Sequence, residues 1–272
     1  MMNISSFHTH TWLCKHASGK PEDYVAQAAL DGCSALGISD HCPYPDPTWS
    51  GSRMELSQLP EYLNLVTAAQ EKASFPLFWG FECEWHPAYE SWYRDFLRAE
   101  MGAEYLVYGS HWVEENGEFW YIPEYPGAQR LIRYTEMTVR GIQSGLYDFI
   151  AHPDIFLAGY PKLTDTIRSA CRDIIYAAVD ANLPMEINGL GLTRTPLIGD
   201  SGPRAPYPVR EFWEMAADAG ATIICNSDAH RPEDVLTLAH GARAFAKEIG
   251  VSVQDPAEVL PFVRASDKTE IS

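Results

Sequence analysis

Short apolar runs alternate with longer segments of helical periodicity along almost the whole chain, and this alternation constrains the fold more than any other feature. The runs are nearly continuous in apolar residues, as expected of strands that are covered on both faces. Seven strands are predicted: a short one before Phe7, then Ala35–Ser39, Leu77–Phe81, Tyr105–Tyr108, Phe149–Ala151, Met185–Asn188 and Thr222–Asn226. Strands that alternate with helices in this way indicate an α/β fold with a parallel sheet and crossover helices.

The segments between the predicted strands carry helix signals. In the first of them, Pro21 suits the opening turn and Gly32 suits the stop. The predicted helices are Pro21–Gly32, Glu61–Lys72, Ser91–Met101, Ala128–Ser144, Asp165–Ala181, Val209–Ala219, Val235–Ile249 and Pro256–Ala265. No linker or low-complexity tract interrupts the pattern, so we expect one domain over residues 1–272.

Side chains that bind metals follow the predicted strands where each strand ends. His8 and His10 stand two residues apart on an extended chain, so their rings are expected to point to the same side. Seven of the nine histidines lie at or just past strand ends, together with two carboxylates. The candidate ligands are His8, His10, His16, His41, Glu82, His111, His152, Asp228 and His230. His86, in a loop, and His240, in a helix, do not fit this pattern and are interpreted as structural.

The distribution of these ligands decides between two α/β architectures. An open doubly wound sheet binds its ligand at one switch point, whereas a closed barrel builds its site from the carboxyl ends of strands all around it. Since candidate ligands follow nearly every strand, we predict an α/β barrel with a metal site at the C-terminal ends of its strands.

The ligand types indicate which ions would bind. Imidazoles combined with carboxylates suit Zn, Mn or Fe better than Ca or Mg alone. Because one ion takes about four protein ligands, nine candidates indicate about two or three divalent transition metal ions. Cys14 is interpreted as a packed residue rather than a ligand. Asp40 is expected to orient a ligand imidazole rather than to bind a metal, and Asp154 and Glu186 are expected to have a similar or a structural role.

A set of short motifs carries a resemblance to a known family. In chain order they are HTH with the trailing CKHAS, SDH, GFE, GSH, AHPD, EING and SDAH, together with RMELSQLPEY and RPED. They resemble the polymerase and histidinol phosphatase (PHP) superfamily, and within it the histidinol-phosphate phosphatases, from His8 to about Pro232. The resemblance implies a distorted (β/α)7 barrel, which agrees with the seven strands predicted above.

The resemblance also implies how three ions would share the ligands. The three sets are His8, His10, Glu82 and Asp228; Glu82 again with His111 and His152; and His16, His41 and His230. Glu82, Asp228 and His230 are accordingly expected to act in catalysis. The chain departs from the family at Cys83-Glu84 and in IFLAGYPK after AHPD, and these departures leave the substrate open.

The activity implied by the resemblance is hydrolysis of a phosphate monoester. Clustered divalent ions would activate a bridging hydroxide, which attacks phosphorus in line with the leaving alkoxide. Histidinol phosphate, from histidine biosynthesis, is the expected substrate. Because the ester carries about two negative charges, a basic side chain should hold it. Arg194 is the first candidate, followed by Arg53, Lys162 and Arg231.

The net charge of −17 limits the other partners of this chain. It repels nucleic-acid backbones and anionic membrane surfaces, so we expect a small phosphorylated substrate and neither of those partners. The six cysteines form no CxxC pair, the N-terminus lacks a signal-peptide pattern, and no apolar run approaches the length of a membrane span. We therefore expect a cytoplasmic protein with reduced thiols.

Three alternative functions stay open on the sequence. A C–N hydrolase of the amidohydrolase type also begins with HxH, but it normally uses about one or two ions. Another phosphoesterase of the same superfamily would act on a different small monoester or on a phosphodiester, although no basic track for a nucleic-acid strand is visible. A non-catalytic module is expected to have lost ligands, and every ligand position here holds a competent residue.

Overall fold

Seven parallel strands form the sheet of the computed structural model, which describes residues 4–266. The strands are β1 Ile4–Ser6, β2 Cys33–Ile38, β3 Leu77–Cys83, β4 Tyr105–Gly109, β5 Phe149–Ala151, β6 Met185–Asn188 and β7 Ile223–Asn226. They lie side by side in sequence order, and each pairing is parallel. The predicted strands are therefore confirmed, with ends that shift by a residue or two.

Helices follow the strands near the predicted positions. They are α1 Pro21–Asp31, α2 Leu59–Lys72, a π-helix Trp92–Glu100, α3 Ala128–Gln143, α4 Asp165–Asp180, α5 Arg210–Asp218, α6 Val235–Glu248, α7 Pro256–Val259 and α8 Pro261–Ser266. The crossover from β3 to β4 differs from prediction, since the Met101 amide donates to the Phe96 carbonyl in a π-helical pattern. The last predicted helix is divided in two, because Leu260 has an extended ψ of 125°.

Two of the predicted loops contain short hairpins. After β4, Trp112–Glu115 pairs antiparallel with Glu118–Tyr121. In the Gly/Pro-rich loop after β6, Leu197–Gly199 pairs with Gly202–Arg204. The sequence pattern predicted neither hairpin. Both follow the carboxyl ends of strands, so they lie on the side of the barrel that is expected to carry the site.

The first and last strands meet through side chains. The Phe7 amide donates to Asn226 Oδ1 at 2.8 Å, and the Ser227 amide donates to Ser6 Oγ at 3.1 Å. A main-chain hydrogen bond follows, where the amide of His10 donates to the Ala229 carbonyl at 2.9 Å. These bonds place β1 beside β7 and give the nearly closed, distorted seven-stranded barrel that was predicted.

Aromatic side chains fill the barrel at its amino-terminal end. The ring of Phe262, from α8, stacks on Tyr105 at 4.6 Å and packs against Phe7 and Phe78 at 5.5 and 5.3 Å. The Tyr105 hydroxyl donates to the Phe7 carbonyl at 3.0 Å, so this buried polar group is satisfied. The final helix therefore covers one end of the barrel, and the carboxyl ends of the strands stay available for a site.

Two further observations concern the cysteines and the length of the helices. All six cysteines are buried and unpaired, as predicted for reduced thiols. Within residues 4–266, no helix is both long enough and apolar enough to cross a membrane.

We predict that Phe78→Ala lowers the free energy of unfolding by about 3–5 kcal/mol, because it leaves a cavity in the aromatic cluster. Ile132→Ala is the control: Ile132, on α3, is 49% exposed, and its truncation should change the free energy by less than about 0.5 kcal/mol. Urea denaturation followed by circular dichroism measures both values. Equal effects of the two substitutions would contradict the packing described for Phe78.

Candidate metal centre

The carboxyl ends of the strands bring all nine predicted metal ligands together. In chain order, the ligands that follow or end a strand are His8, His10, His41, Glu82, His111, His152, Asp228 and His230. His16 comes from the loop after β1, and its ring lies 4.8 Å from the ring of His230. The ligand atoms form overlapping groups, and within each group they lie within 4.8 Å of one another.

Local backbone features make this convergence possible. A Cβ atom at Gly109 would collide with the Glu82 carboxylate and would lie 2.7 Å from the ring of His111. The GSH motif therefore requires glycine, since a larger residue would displace two ligands. Asp228 and His152 have positive φ angles of 55° and 30°. Strained backbone of this kind collects at functional sites.

One group has the dimensions of a tetrahedral metal site. His10 Nε2 lies 3.1 Å from His8 Nε2, 3.1 Å from Asp228 Oδ1 and 3.4 Å from Glu82 Oε2. His8 Nε2 lies 3.5 Å from each of the same two carboxylate oxygens. Ligand atoms about 2.0–2.1 Å from a zinc ion at tetrahedral angles are about 3.3–3.4 Å apart. The four side chains thus fit an ion of this type, and we call them the tetrahedral group.

Glu82 gives the strongest single indication that ions bind here. Its side chain is 1% exposed, yet neither carboxylate oxygen has a hydrogen bond of normal geometry. Oε2 faces the tetrahedral group, whereas Oε1 lies 3.2 Å from His152 Nε2 and 3.6 Å from His111 Nε2. A buried carboxylate without partners is costly unless it is paired or coordinates a cation. Glu82 is therefore placed to share its two oxygens between two ions.

A third group consists of histidines alone. The ring of His16 lies 5.3 Å from that of His41 and 4.8 Å from that of His230. The Nδ1 atoms of His16 and His230 lie 2.7 and 2.9 Å from main-chain carbonyls, so in the neutral rings Nδ1 carries the hydrogen and Nε2 has the lone pair that a metal needs. His41 Nδ1 lies 2.9 Å from Glu82 Oε2, which connects this group to the other two.

The buried charges shift the pKa values of the ligands. Burial raises the pKa of Glu82 and Asp228, but the surrounding histidines outweigh it and hold both pKa values well below their usual range. Burial and the positive charge of His10 lower the pKa of His230 to about 3. Burial lowers the pKa of His8, but nearby carboxylates outweigh it and raise that pKa well above its ordinary value. An ion would displace the His8 proton, as metals do at basic ligands.

Side chains behind the ligands hold them in place. His8 Nδ1 lies 2.9 Å from Glu186 Oε2, and Glu186 accepts hydrogen bonds from the amide groups of Asn188 and Asn226 at 2.7 and 3.0 Å. Asn188 also donates to Asp228 Oδ2 at 3.0 Å. Partners of this kind fix the orientation of a ligand ring. The orienting role of Glu186 agrees with prediction; the two asparagines were missed, although both stand at strand ends in the sequence.

Two other acidic candidates have supporting roles. Asp40 accepts hydrogen bonds from the amides of Thr11 and His41, at 3.2 and 3.1 Å, and so holds two ligand-bearing loops together. Asp154 accepts a hydrogen bond from Trp213 Nε1 at 3.1 Å, which ties β5 to α5. The contact of Asp154 agrees with the structural role that was predicted. Asp40 holds main-chain amides, and its carboxylate lies 3.8 Å from the nearest ligand imidazole, that of His10, so its predicted orienting of a ligand ring stays a prediction.

Of the three residues that were interpreted as non-ligands, Cys14 lies near the centre, and His86 and His240 lie outside it. Cys14 lies within 4.8 Å of ring nitrogens of His10 and His230. Burial raises the pKa of its thiol, which opposes the thiolate form that binds metals. His86 lies 3.6 Å from Glu114, and His240 is exposed on α6, outside the groups described above.

A cavity of about 640 Å³ opens above the metal-binding groups. Arg194 and Arg53, two of the residues predicted to bind phosphate, are among those that line it. Lys162 is exposed outside the cavity, and Arg231 is 60% exposed and bound to Asp234 at 2.9 Å. The cavity wall therefore includes neither Lys162 nor Arg231, although Arg231 lines a neighbouring depression with His16 and His230. Their contact with the substrate stays a prediction.

Comparison with known proteins agrees with this architecture. The family model described as PHP domain matches residues 6–189. A Deinococcus radiodurans protein named "Probable histidinol-phosphatase" is 33% identical over 257 residues, which are 86% of this chain and 89% of that protein.

Two solved structures share the fold. One is histidinol phosphate phosphatase from Lactococcus lactis complexed with zinc, L-histidinol and phosphate, with a TM-score of 0.69, 17% identity, and coverage of 92% of this chain and 95% of that chain. The other is a Listeria monocytogenes protein described as a histidinol phosphatase, with a TM-score of 0.65, 18% identity, and coverage of 85% and 96%. The predicted fold class is therefore confirmed.

We predict that Glu82→Gln loses metal from more than one group. After reconstitution with Zn²⁺ and dialysis, the unaltered protein should keep about two or three ions per chain and the variant about one or none. His86→Ala is the control, since it changes a histidine outside the groups. Elemental analysis by mass spectrometry measures zinc per chain, and equal contents in Glu82→Gln and the unaltered protein would contradict the shared role.

Proposed function

This chain belongs to the PHP domain family, and from that premise we propose that it is a metal-dependent phosphatase acting on a small phosphate monoester. The observation that carries the proposal is the buried Glu82 carboxylate, which lacks hydrogen-bond partners and faces two groups of histidines. It lies beneath a cavity large enough for a small ester. Clustered divalent ions are a common solution for phosphoryl transfer.

Some residues of the centre would hold ions, and others orient the ligands. Divalent ions held by the nine ligands would activate water for attack near neutral pH and would neutralise charge on the phosphoryl oxygens. Glu82, Asp228 and His230 would act in catalysis as ligands close to the reacting phosphate. Glu186 keeps the His8 ring in the orientation that the tetrahedral group requires.

Arg194 is the residue best placed to bind the phosphate. It lines the cavity beside the ligands, as does Tyr207. Among residues 4–266, no carboxylate forms an ion pair with it. A guanidinium without a carboxylate partner can bind two oxygens of a phosphate at once, so Arg194 would hold the ester over the ions.

We propose L-histidinol phosphate as the substrate, with L-histidinol and phosphate as products, and histidine biosynthesis as the pathway. The name of the Deinococcus radiodurans relative supports this substrate, as does the ligand set of the Lactococcus lactis structure. The cavity wall includes Glu124 and Tyr121. Their acidic and aromatic side chains are suitable partners for the ammonium and imidazole groups of such a substrate.

A substrate screen tests the proposal directly. Protein loaded with Zn²⁺ or Mn²⁺ should release phosphate from small phosphomonoesters, with the highest kcat/KM for L-histidinol phosphate, and removal of the ions with a chelator should abolish the release. Phosphodiesters and cyclic amides belong in the same screen. Activity on either of these classes without phosphomonoester hydrolysis would contradict the proposal and favour a diesterase or a C–N hydrolase.

We predict that Arg194→Ala raises KM for the phosphomonoester by about tenfold, because it removes a charged contact to the phosphate. Bound zinc should stay unchanged, since Arg194 is not among the metal-binding groups. Arg210→Ala is the control: Arg210 lies on α5 with 51% of its side chain exposed. Steady-state kinetics with zinc analysis measures these effects, and an unchanged KM would remove Arg194 from the site.

A further inference from the structure

Arg53, Glu84 and His111 form a buried chain of contacts behind the metal centre. Arg53 is 2% exposed and Glu84 is 4% exposed. Glu84 Oε1 lies 2.6 Å from His111 Nδ1 and 3.8 Å from Arg53 Nη2. We propose that Arg53 and Glu84 are positioning residues that set the affinity of His111 for its ion, and that Arg53 makes no contact with the substrate. This inference rests on the metal-dependent function proposed above.

Glu84 determines which nitrogen of the neutral His111 ring carries the hydrogen. Its carboxylate accepts hydrogen bonds from the His111 amide at 3.1 Å and from ring Nδ1, so Nε2 has the lone pair. That Nε2 atom lies 3.6 Å from Glu82 Oε1. His111 Nε2 and Glu82 Oε1, which both have lone pairs, thus face each other in a buried site. They repel each other, and a cation between them would attract both. The negative charge of Glu84 also makes Nε2 a stronger ligand.

The contacts of Arg53 hold its guanidinium against the protein, although it forms part of the cavity wall. Its Nε donates to the Trp49 carbonyl at 3.1 Å, and its Nη1 donates to the Cys42 carbonyl at 3.2 Å. The rings of Tyr44 and Trp49 enclose it at 5.1 and 5.3 Å. Breaking these contacts would leave Glu84 as a buried charge without its counter-ion, which is strongly unfavourable.

The same guanidinium connects ligands of two metal-binding groups. Cys42 directly follows His41, and the Cys42 amide donates to the Glu82 carbonyl at 2.8 Å. Arg53 therefore holds the main chain beside His41 and, through Glu84, the ring of His111. Loss of Arg53 should weaken the ligands that follow β2 and β4 and spare the tetrahedral group's two histidines, which follow β1.

Zinc affinity tests this inference without using enzyme activity. Competition between the full-length protein and a chromophoric chelator for Zn²⁺ should show that Glu84→Gln, which keeps the shape but removes the charge, weakens at least one zinc ion by about 10–100-fold. Arg53→Met should weaken zinc binding in the same range, and Arg53→Lys, which keeps the charge, should weaken it less. Arg210→Met, on the exposed face of α5, is the matched control and should bind zinc like the unaltered protein.

Kinetics of the zinc-saturated variants separates positioning from substrate binding. Arg53→Met should keep KM within about twofold of the unaltered enzyme, in contrast to Arg194→Ala. Unchanged zinc affinity with a raised KM would overturn the inference and make Arg53 a phosphate ligand, and unchanged zinc affinity in Glu84→Gln would overturn the role of Glu84. If circular dichroism shows that Arg53→Met is unfolded, the same measurements on Arg53→Lys and Glu84→Gln test the inference instead. A phosphatase-inactive wild type would contradict the proposed function alone, since zinc competition needs no turnover.

Discussion

The burial of one ionised carboxylate, that of Glu82, is the constraint on which the rest of the centre depends. Removing such a charge from water costs several kcal/mol, and no ordinary hydrogen-bond donor offsets that cost here. Histidines that follow β1, β2, β4 and β5 surround both of its oxygens. The glycine of the GSH motif leaves the space that this carboxylate occupies. The arrangement is therefore one in which cations complete the electrostatic balance.

The barrel fixes the positions of the side chains that surround Glu82. Parallel strands deliver their carboxyl ends to one face, so ligands that are distant in sequence become neighbours without a long loop to carry them. At the other end, Phe262 packs on Tyr105 and closes the interior. Polar residues behind the ligands, such as Glu186 and Asn188, fix side chains that strand geometry alone would leave free to rotate.

Features that depend on local sequence were predictable, whereas those that depend on distant contacts were not. Six of the seven strands are short apolar runs that contain or lead to candidate ligands near their carboxyl ends, so both the barrel and its nine candidate ligands could be predicted. The hydrogen bond from Phe7 to Asn226 joins residues 219 positions apart, and no local pattern shows it. Arg53 was expected to bind phosphate because the sequence shows a charge, whereas the burial of that side chain depends on distant contacts. Lys162 was expected at the site for the same reason, and it lies in solvent.

The closure between β1 and β7 has a consequence for how the protein keeps its shape. His8 and His10 belong to the first βα unit and Asp228 to the last, yet all three belong to the tetrahedral group. An ion held there would cross-link the two ends of the barrel at a junction that depends on side-chain hydrogen bonds and little main-chain pairing. Since binding to the native state alone adds to its stability, the ion would stabilise the fold in addition to its part in the reaction. Without bound metal, the first strand would detach more often and become open to proteolysis. The lifetime of the protein in the cell would then depend on the metal supply.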